Sequence, residues 1–145
     1  SCHFRVCVDK VAEIVRELRD LPADTFPIAA TALLRALIDT TTHEYIDRLK
    51  INVDRNKHGQ PDLKDRIRKS INDFKSKTAQ NEAGKAAENA LLTANGAVYV
   101  DSLHLGLHGR IVQPRADTLR VGWNEIERYI IGMWEILNSL ESTKK

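Results

Sequence analysis

Cysteine and long hydrophobic runs are both scarce in this 145-residue sequence. The only two cysteines, Cys2 and Cys7, match neither a C-x-x-C redox pair nor a zinc ribbon, so we expect both to be reduced. No apolar run approaches the roughly 18 residues that a membrane-spanning helix needs, and no signal-peptide pattern opens the chain. These absences argue against a disulfide-stapled or membrane protein and predict a cytoplasmic one that makes no membrane contact.

Several motifs with a known chemical purpose are also missing. We find no glycine-rich phosphate loop, no Ser/His/Asp order typical of a hydrolase, and no aromatic residues interleaved with basic ones for base stacking. We therefore expect no cofactor. The chain starts without a methionine and runs straight into a helical pattern, from which we expect a fragment of a longer polypeptide with further domains upstream as partners.

What the sequence does contain is helical periodicity. Hydrophobic residues make up 42% and charged residues 29%, as in one ordinary globular domain over residues 1–145. Apolar residues recur at helical spacing in five segments, one of which opens at Pro61 and Asp62. The five predicted helices cover residues 8–18, 28–49, 62–74, 85–94 and 118–140. Pro22 and Pro27 separate the first two, and Asp24 or Thr25 is the expected cap of the second.

Residues 96–112 are ambiguous. Leu103, Leu105 and Leu107 alternate with His104, Gly106 and His108, which is the period of a strand. A single strand would have no partner, however, because no other segment is typical of β structure. We therefore favour a short helix that ends near Gly109, and the predicted fold class is an all-α bundle of five or six helices.

Positive charge is concentrated between Arg48 and Lys77. This segment holds ten Lys or Arg residues against four Asp, although the whole chain has a net charge of only +2. Such asymmetry is a weak indication of nucleic-acid contact. A solvated helix face is the alternative, and the sequence leaves both open. The candidate residues for binding RNA or DNA are Arg55, Lys57, Arg66, Lys69 and Arg110.

His104 and His108 are the first candidates for chemistry. They are four residues apart, so they share a face in a helix or in a strand. Histidine is suited to proton transfer, phosphate contact or metal binding near neutral pH. A zinc site would need a third ligand from elsewhere, for which Asp101 is no more than a possible donor, so we predict no metal site. The alternative without function is a pair of hydrogen-bonded histidines at a helix interface.

A polar stripe on the predicted second helix is the second candidate. Thr31, Arg35, Asp39 and His43 follow one another at intervals of four, opposite an apolar face. Arg35 and Asp39 form an i,i+4 pair that would support the helix. Because the helix is too apolar to be peripheral, a half-buried Arg35 would need further partners, and His104 or His108 could supply one.

Two stretches of this chain resemble a known family. The segments AATALLRALIDTTTHEYIDR and LHLGLHGRIVQPRADTLRVGWNEIERYIIGMWEIL resemble HEPN-like helical domains of prokaryotes, particularly the small version attached to DNA-handling and anti-phage defence proteins. In that version a turn with a histidine precedes a proline-containing linker and a last helix with an early tryptophan. His108, Pro114 and Trp123 occupy those places, and the resemblance covers residues 26–140.

The resemblance implies a function and also a departure from it. HEPN ribonucleases use an Arg, a polar residue and a His on one helix, and two copies meet to build one RNA-cleaving site. Here the His corresponds to His108, the polar residue to His104 and the Arg to Leu103. Leucine cannot stabilise a phosphate in the transition state. Arg35 or Arg110 could replace the missing arginine only through the tertiary structure.

Three hypotheses follow from the sequence. The first is a HEPN-like module without nuclease chemistry that forms a homodimer and serves assembly or nucleic-acid contact within a larger prokaryotic defence or DNA-handling protein. The second is a divergent metal-independent endoribonuclease, in which His108 is the general acid/base, His104 and Arg35 hold the phosphate, and Asp39 orients Arg35. The third is a purely structural bundle with no site, because a fold alone implies no function.

Overall fold

The described part of the chain is entirely helical. The computed structural model describes residues 2–53, 62–107 and 115–143, and within these ranges it contains six helices and no strand. The helices are α1 (Cys2–Asp20), α2 (Pro27–Leu49), α3 (Leu63–Lys77), α4 (Asn81–Leu92), α5 (Val100–Leu107) and α6 (Ala116–Thr143). The prediction of an all-α bundle with five or six helices is therefore confirmed for these residues.

The turn between α1 and α2 depends on the two prolines. The backbone N–H groups of Thr25 and Phe26 both donate to the carbonyl oxygen of Pro22, at 3.0 and 2.9 Å. Pro27 then occupies the first turn of α2, where a missing N–H costs nothing, and neither Asp24 nor Thr25 caps the helix as we had predicted. At the other end, Lys50 adopts a left-handed conformation with φ 53°. Its N–H donates to Asp47 and thereby satisfies one terminal carbonyl.

Local side-chain bonds set the ends of α3. The Asp62 carboxylate caps the helix by accepting from the backbone N–H of Lys64 at 3.3 Å. At the end of the helix, Thr78 donates through its hydroxyl to the carbonyl oxygen of Phe74 at 2.8 Å. Helix α4 begins at Asn81, four residues earlier than predicted, because Ala83 and Gly84 are buried in the bundle. Burial there offsets the low helix propensity of glycine.

The segment that could have been a strand forms a helix over its described part. Val100 and Leu103, one turn apart, are both buried, so α5 packs one face inward on α2. The N–H of Leu103 donates to the Tyr99 carbonyl at 3.0 Å and starts the helical hydrogen bonds. The prediction of a short helix is confirmed up to Leu107, and the strand alternative is wrong for these residues.

Helix α2 is the centre of the bundle. It packs against α1, α3, α5 and α6, while α4 lies between α3 and α6. The largest fully buried side chains come from five helices, α2 to α6, so a single core holds the described elements together. They include Leu37, Ile38, Tyr45, Ile67, Ile71, Phe74, Leu91, Ile126, Tyr129, Met133 and Leu137. The rings of Phe74 and Tyr129 meet edge to face with centroids 5.1 Å apart.

Glycines let α6 approach its neighbours closely. A Cβ at Gly132 would lie 2.6 Å from the ring of Phe74, and a Cβ at Gly122 would overlap Cγ1 of Val98. Both glycines and Val98 are buried, so neither contact can relax into solvent. These two positions exclude any side chain because the packing leaves no volume for one.

We therefore predict that Gly122→Ala lowers the free energy of unfolding by about 1–3 kcal/mol through overpacking. Combining it with Val98→Ala, which removes the overlapping methyl groups, should cost clearly less than the sum of the two single changes. Urea unfolding followed by circular dichroism measures all three variants. Additive costs would show that Gly122 and Val98 do not meet in solution.

Candidate functional site

The polar stripe of α2 separates into residues with different environments. Thr31 is fully buried, and its hydroxyl donates to the Pro27 carbonyl at 2.8 Å. His43 is exposed at the surface. Only Arg35 and Asp39 are partly buried near charged groups of other helices. Of the four residues in the stripe, these two alone remain candidates for a site.

Asp39 is bound to α3. Arg66 donates through Nη2 to the Asp39 carboxylate at 3.4 Å, and only 18% of the Arg66 side chain is exposed. The buried Nε of Arg66 has no hydrogen-bond partner among the described residues. Within the same residues Asp39 and Arg35 form no ion pair. The carboxylate that was predicted to orient Arg35 thus holds Arg66, a residue predicted to contact nucleic acid.

Arg35 lies where α2, α3 and α5 meet. Burial lowers the pKa of its guanidinium, the negative charge of Asp39 raises it, Arg66 lowers it and Asp101 raises it. Arg35 therefore senses charges on all three helices, including the helix that carries His104. Asp39 is bonded to Arg66 and acts on Arg35 only through its charge, so this junction is a position where an added anion would be favoured. We call Arg35, Asp39, Arg66 and Asp101 the α2–α3–α5 cluster.

A second set of bonds joins α3 to the start of α5. Lys64 donates through Nζ to the Tyr99 hydroxyl at 2.9 Å, and that hydroxyl donates to the Asp101 carboxylate at 2.9 Å. The Lys64 ammonium is also 3.4 Å from Asp101 and 5.0 Å from the centre of the Tyr99 ring. Asp101, considered from sequence as a metal donor, is therefore bound to a lysine and a tyrosine.

The remaining predicted site residues have different outcomes. Lys69 is exposed on α3. The side chain of His104 and the whole of His108, Arg110, Arg55 and Lys57 lie outside the described residues. Leu103, which stands where the resemblance would need an arginine, is 0% exposed. A charged side chain could not replace it there without losing core packing.

The basic segment of residues 48–77 is largely neutralised by ion pairs. Eight of its basic residues are described, and six of these lie within 4.0 Å of a carboxylate. The six are Arg48, Lys64, Arg66, Arg68, Lys75 and Lys77. Five of their carboxylate partners (Asp39, Glu44, Glu88, Asp101 and Glu141) lie outside the segment, so counting charge within the segment overstated its excess. The charge evidence for a nucleic-acid surface is correspondingly weaker.

Buried hydroxyl groups accompany these charges. Tyr45, fully buried on α2, donates to Asp73 of α3 at 2.6 Å, and Lys77 neutralises that carboxylate at 2.6 Å. Burial raises the pKa of Tyr45, and the bond to Asp73 raises it further. Burial also raises the pKa of Tyr129, although its neighbour Ser70 lowers it. The Ser70 and Tyr129 hydroxyls miss ordinary hydrogen-bond geometry and have no other partner among the described residues.

An open apolar groove runs between α1 and α6, with α2 as its floor. Its volume is about 700 Å³. It exists because α1 packs mainly on α2 and makes few contacts with α6. The walls are mostly apolar and include Val15 and Leu18 of α1, Leu34 of α2, and Trp123, Ile131 and Trp134 of α6. This surface has the size and character of a helix-binding groove.

The outer face of α6 borders this groove and is itself unusual. Val121 and Ile131 are 51% and 49% exposed, and charged residues alternate with them along the same face. The sequence analysis missed this face because the apolar pattern of α6 was assigned wholly to the core. The sequence did contain a signal for this face. Val121 and Ile131 are apolar but fall outside the core-facing stripe that contains Leu119, Ile126 and Met133.

Comparison with known protein families, curated proteins and solved structures finds no match to this chain. Within the described ranges, no three His, Cys, Asp or Glu side chains are grouped so that they could hold a metal ion. None of the helices in those ranges is long and apolar enough to cross a membrane. The function must therefore be argued from the cluster, the groove and the outer face of α6.

The buried tyrosines predict how stability depends on pH. The folded chain keeps Tyr45 and Tyr129 protonated above pH 10, the ordinary tyrosine pKa being about 10, whereas the unfolded chain releases both protons. The folded state then binds more protons, so stability falls as the pH rises. We expect a loss of roughly 1.4 kcal/mol per pH unit for each tyrosine above that value.

Urea unfolding between neutral and alkaline pH tests this dependence. Tyr129→Phe should remove one tyrosine's contribution to the fall of the free energy of unfolding with pH. Tyr99→Phe, at a partly exposed position, is the matched control and should leave that dependence unchanged. In the unchanged chain, tyrosinate absorbance from the buried pair should appear together with the loss of helical circular dichroism. An identical slope in Tyr129→Phe and the wild type would contradict the assignment.

Proposed function

We propose that this chain is a HEPN-like helical module that joins copies of a larger prokaryotic defence or DNA-handling polypeptide through its α1–α6 surface. The observation that carries the proposal is the apolar groove of about 700 Å³, bordered by exposed apolar residues of α6. Exposed apolar surface of this kind marks interaction sites in folded domains. A second helical surface that entered the groove would remove Ile131, Trp123 and Trp134 from water.

Two further observations favour assembly over catalysis. Leu103 is fully buried at the position that corresponds to the arginine of HEPN ribonucleases, so its role is in the core. Most described basic residues of the segment 48–77 are occupied by carboxylates, so electrostatic attraction of nucleic acid along α3 is reduced. In contrast, no described residue covers the apolar surface formed by the α1–α6 groove and the exposed apolar residues of α6.

We predict that Ile131→Glu weakens self-association of the 145-residue chain at least about tenfold. A buried isoleucine side chain contributes about 1.5–3 kcal/mol, and a symmetric dimer loses it in both copies. Sedimentation equilibrium from micromolar to about millimolar concentration measures the dissociation constant.

Ile28→Glu is the matched control, because Ile28 is 59% exposed on α2 and does not line the groove. It should leave self-association unchanged. A chain that stays monomeric over the whole range would refute the proposal. So would a dimer that is equally sensitive to the two substitutions.

A metal-independent endoribonuclease is the second candidate function. It is favoured by Arg35, whose half-buried guanidinium lies near Arg66 and forms no ion pair within the described residues. Asp101 at the start of α5 acts on Arg35 through its charge, and α5 is also the helix that contains His104. In this candidate Arg35 and His104 hold the phosphate, and His108 exchanges the proton.

RNA cleavage in the presence of EDTA distinguishes the two candidates. If the second is right, the wild type cleaves labelled single-stranded RNA or tRNA, and His108→Ala abolishes cleavage, with a loss of at least about 100-fold for a general acid/base. Arg35→Gln should also reduce cleavage while leaving the helical circular dichroism intact. Absence of cleavage by the wild type, or survival of cleavage in His108→Ala, would eliminate this candidate.

A further inference from the structure

The charged residues on the outer face of α6 are ordered so that reading them from the end to the start gives the opposite sign at each charged position. Arg120, Asn124, Glu127, Arg128, Ile131 and Glu135 follow at intervals of one, three or four residues and so lie along one side of the helix. Positive charge stands at the start of this stripe, negative charge at its end, and one charge of each sign at the centre. At 1.5 Å per residue the stripe spans about 22 Å.

These charges are available for a partner. Glu127, Arg128 and Glu135 form no ion pair with any other described residue, and Arg128 and Glu135 are exposed. Arg120 contacts Asp24 at 3.3 Å, but its side chain remains 58% exposed. Ile131 adds an apolar contact point near the middle, and Val121 adds one near the start. The stripe is thus both charged and apolar, as interfaces between helical modules require.

We propose that a second copy of this chain docks its α6 antiparallel on this stripe, about a two-fold axis that passes between Glu127 and Arg128. This inference rests on the self-association proposed above and specifies its geometry. The axis places Arg120 opposite the partner's Glu135 and Glu127 opposite the partner's Arg128. Asn124 then faces the partner's Ile131. Each ion pair occurs twice, because a two-fold contact uses the same surface on both copies.

The charges select this orientation against the alternative. A parallel arrangement in register would place arginine on arginine and glutamate on glutamate, which is repulsive at every charged position. Only the antiparallel arrangement brings every charge of the stripe to an opposite charge. Charge complementarity therefore identifies the second copy, and not an unrelated apolar helix, as the occupant of this face.

The groove provides room for the same contact. Because α1 packs mainly on α2 and makes few contacts with α6, the space beside α6 is open along the side where Trp123, Ile131 and Trp134 lie. A partner helix displaced slightly from the α6 axis would rest as a ridge in this groove, and its own groove would receive α6 in return. Both copies would then cover their half-buried tryptophans together.

Charge reversal with restoration tests the geometry. Glu135→Arg alone should weaken the dimer of the 145-residue chain about tenfold or more, because like charges then face each other at both ends of the contact. Arg120→Glu alone should act similarly. The double variant exchanges the two charges and should return the dissociation constant to within about threefold of the wild type, since the double variant again has opposite charges facing each other.

Glu82→Arg is the matched control, because Glu82 is an exposed glutamate on α4 and the reversal changes net charge by the same amount. Sedimentation equilibrium gives the dissociation constants, and thermal unfolding verifies that each variant is folded. A dimer that ignores the single reversals, or is not restored in the double variant, would overturn the antiparallel geometry while self-association stands. A wild type that remains monomeric would overturn both proposals.

Discussion

The buried carboxylate of Glu44 is the group on which the arrangement of the helices most depends. Only 1% of this residue is exposed, so its charge needs a cation within the fold. Arg48, one turn further on α2, approaches it at 3.4 Å and also reaches Glu141 of α6 at 3.0 Å. The next residue, Tyr45, donates to Asp73 of α3. Arg48, held by Glu44, and Tyr45 thus connect the central helix to α6 and α3, and removing one partner of a buried ion pair typically costs about 3–5 kcal/mol.

The same principle explains why α3 is basic. Its side chains pair in two directions: Arg66 and Asp73 reach α2, whereas Lys64 and Lys75 reach α5 and α4. The hydrophobic stripe of α3 is narrow, so polar bonds at both edges supply orientation that apolar packing alone would leave loose. A charge excess that resembles a nucleic-acid surface in the sequence is therefore used mainly in ion pairs within α3 and with neighbouring helices. Lys50 and Lys69 are the described basic residues of the segment that remain outside such pairs.

Sequence pattern was sufficient to predict α2, α3 and α6, because α3 and α6 carry their apolar residues at regular intervals and α2 is a long apolar run that begins at a proline. It was insufficient for α5, where alternating leucine and histidine have the period of a strand and only the absence of a partner strand favoured a helix.

Two of the four residues of the α2–α3–α5 cluster could be predicted from the sequence. Arg35 and Asp39 follow from spacing on one helix, but the partners Arg66 and Asp101 are 27 and 62 residues away from Asp39 and are brought there by tertiary packing. The groove could not be predicted, since it arises from where α1 fails to cover α6, and no local pattern records that.

The two surfaces of interest use different helices, which constrains how they can cooperate. The cluster draws on α2, α3 and α5, whereas the stripe belongs to α6 alone. Contact through the stripe buries no member of the cluster, so each copy in such a dimer would keep its own Arg35 and Arg66. A HEPN ribonuclease, in contrast, composes one site from two copies. In the proposed dimer, association through α6 would therefore join two polypeptides and leave the arginine junction of each copy open to an anion, while the fully buried Leu103 contributes to the core.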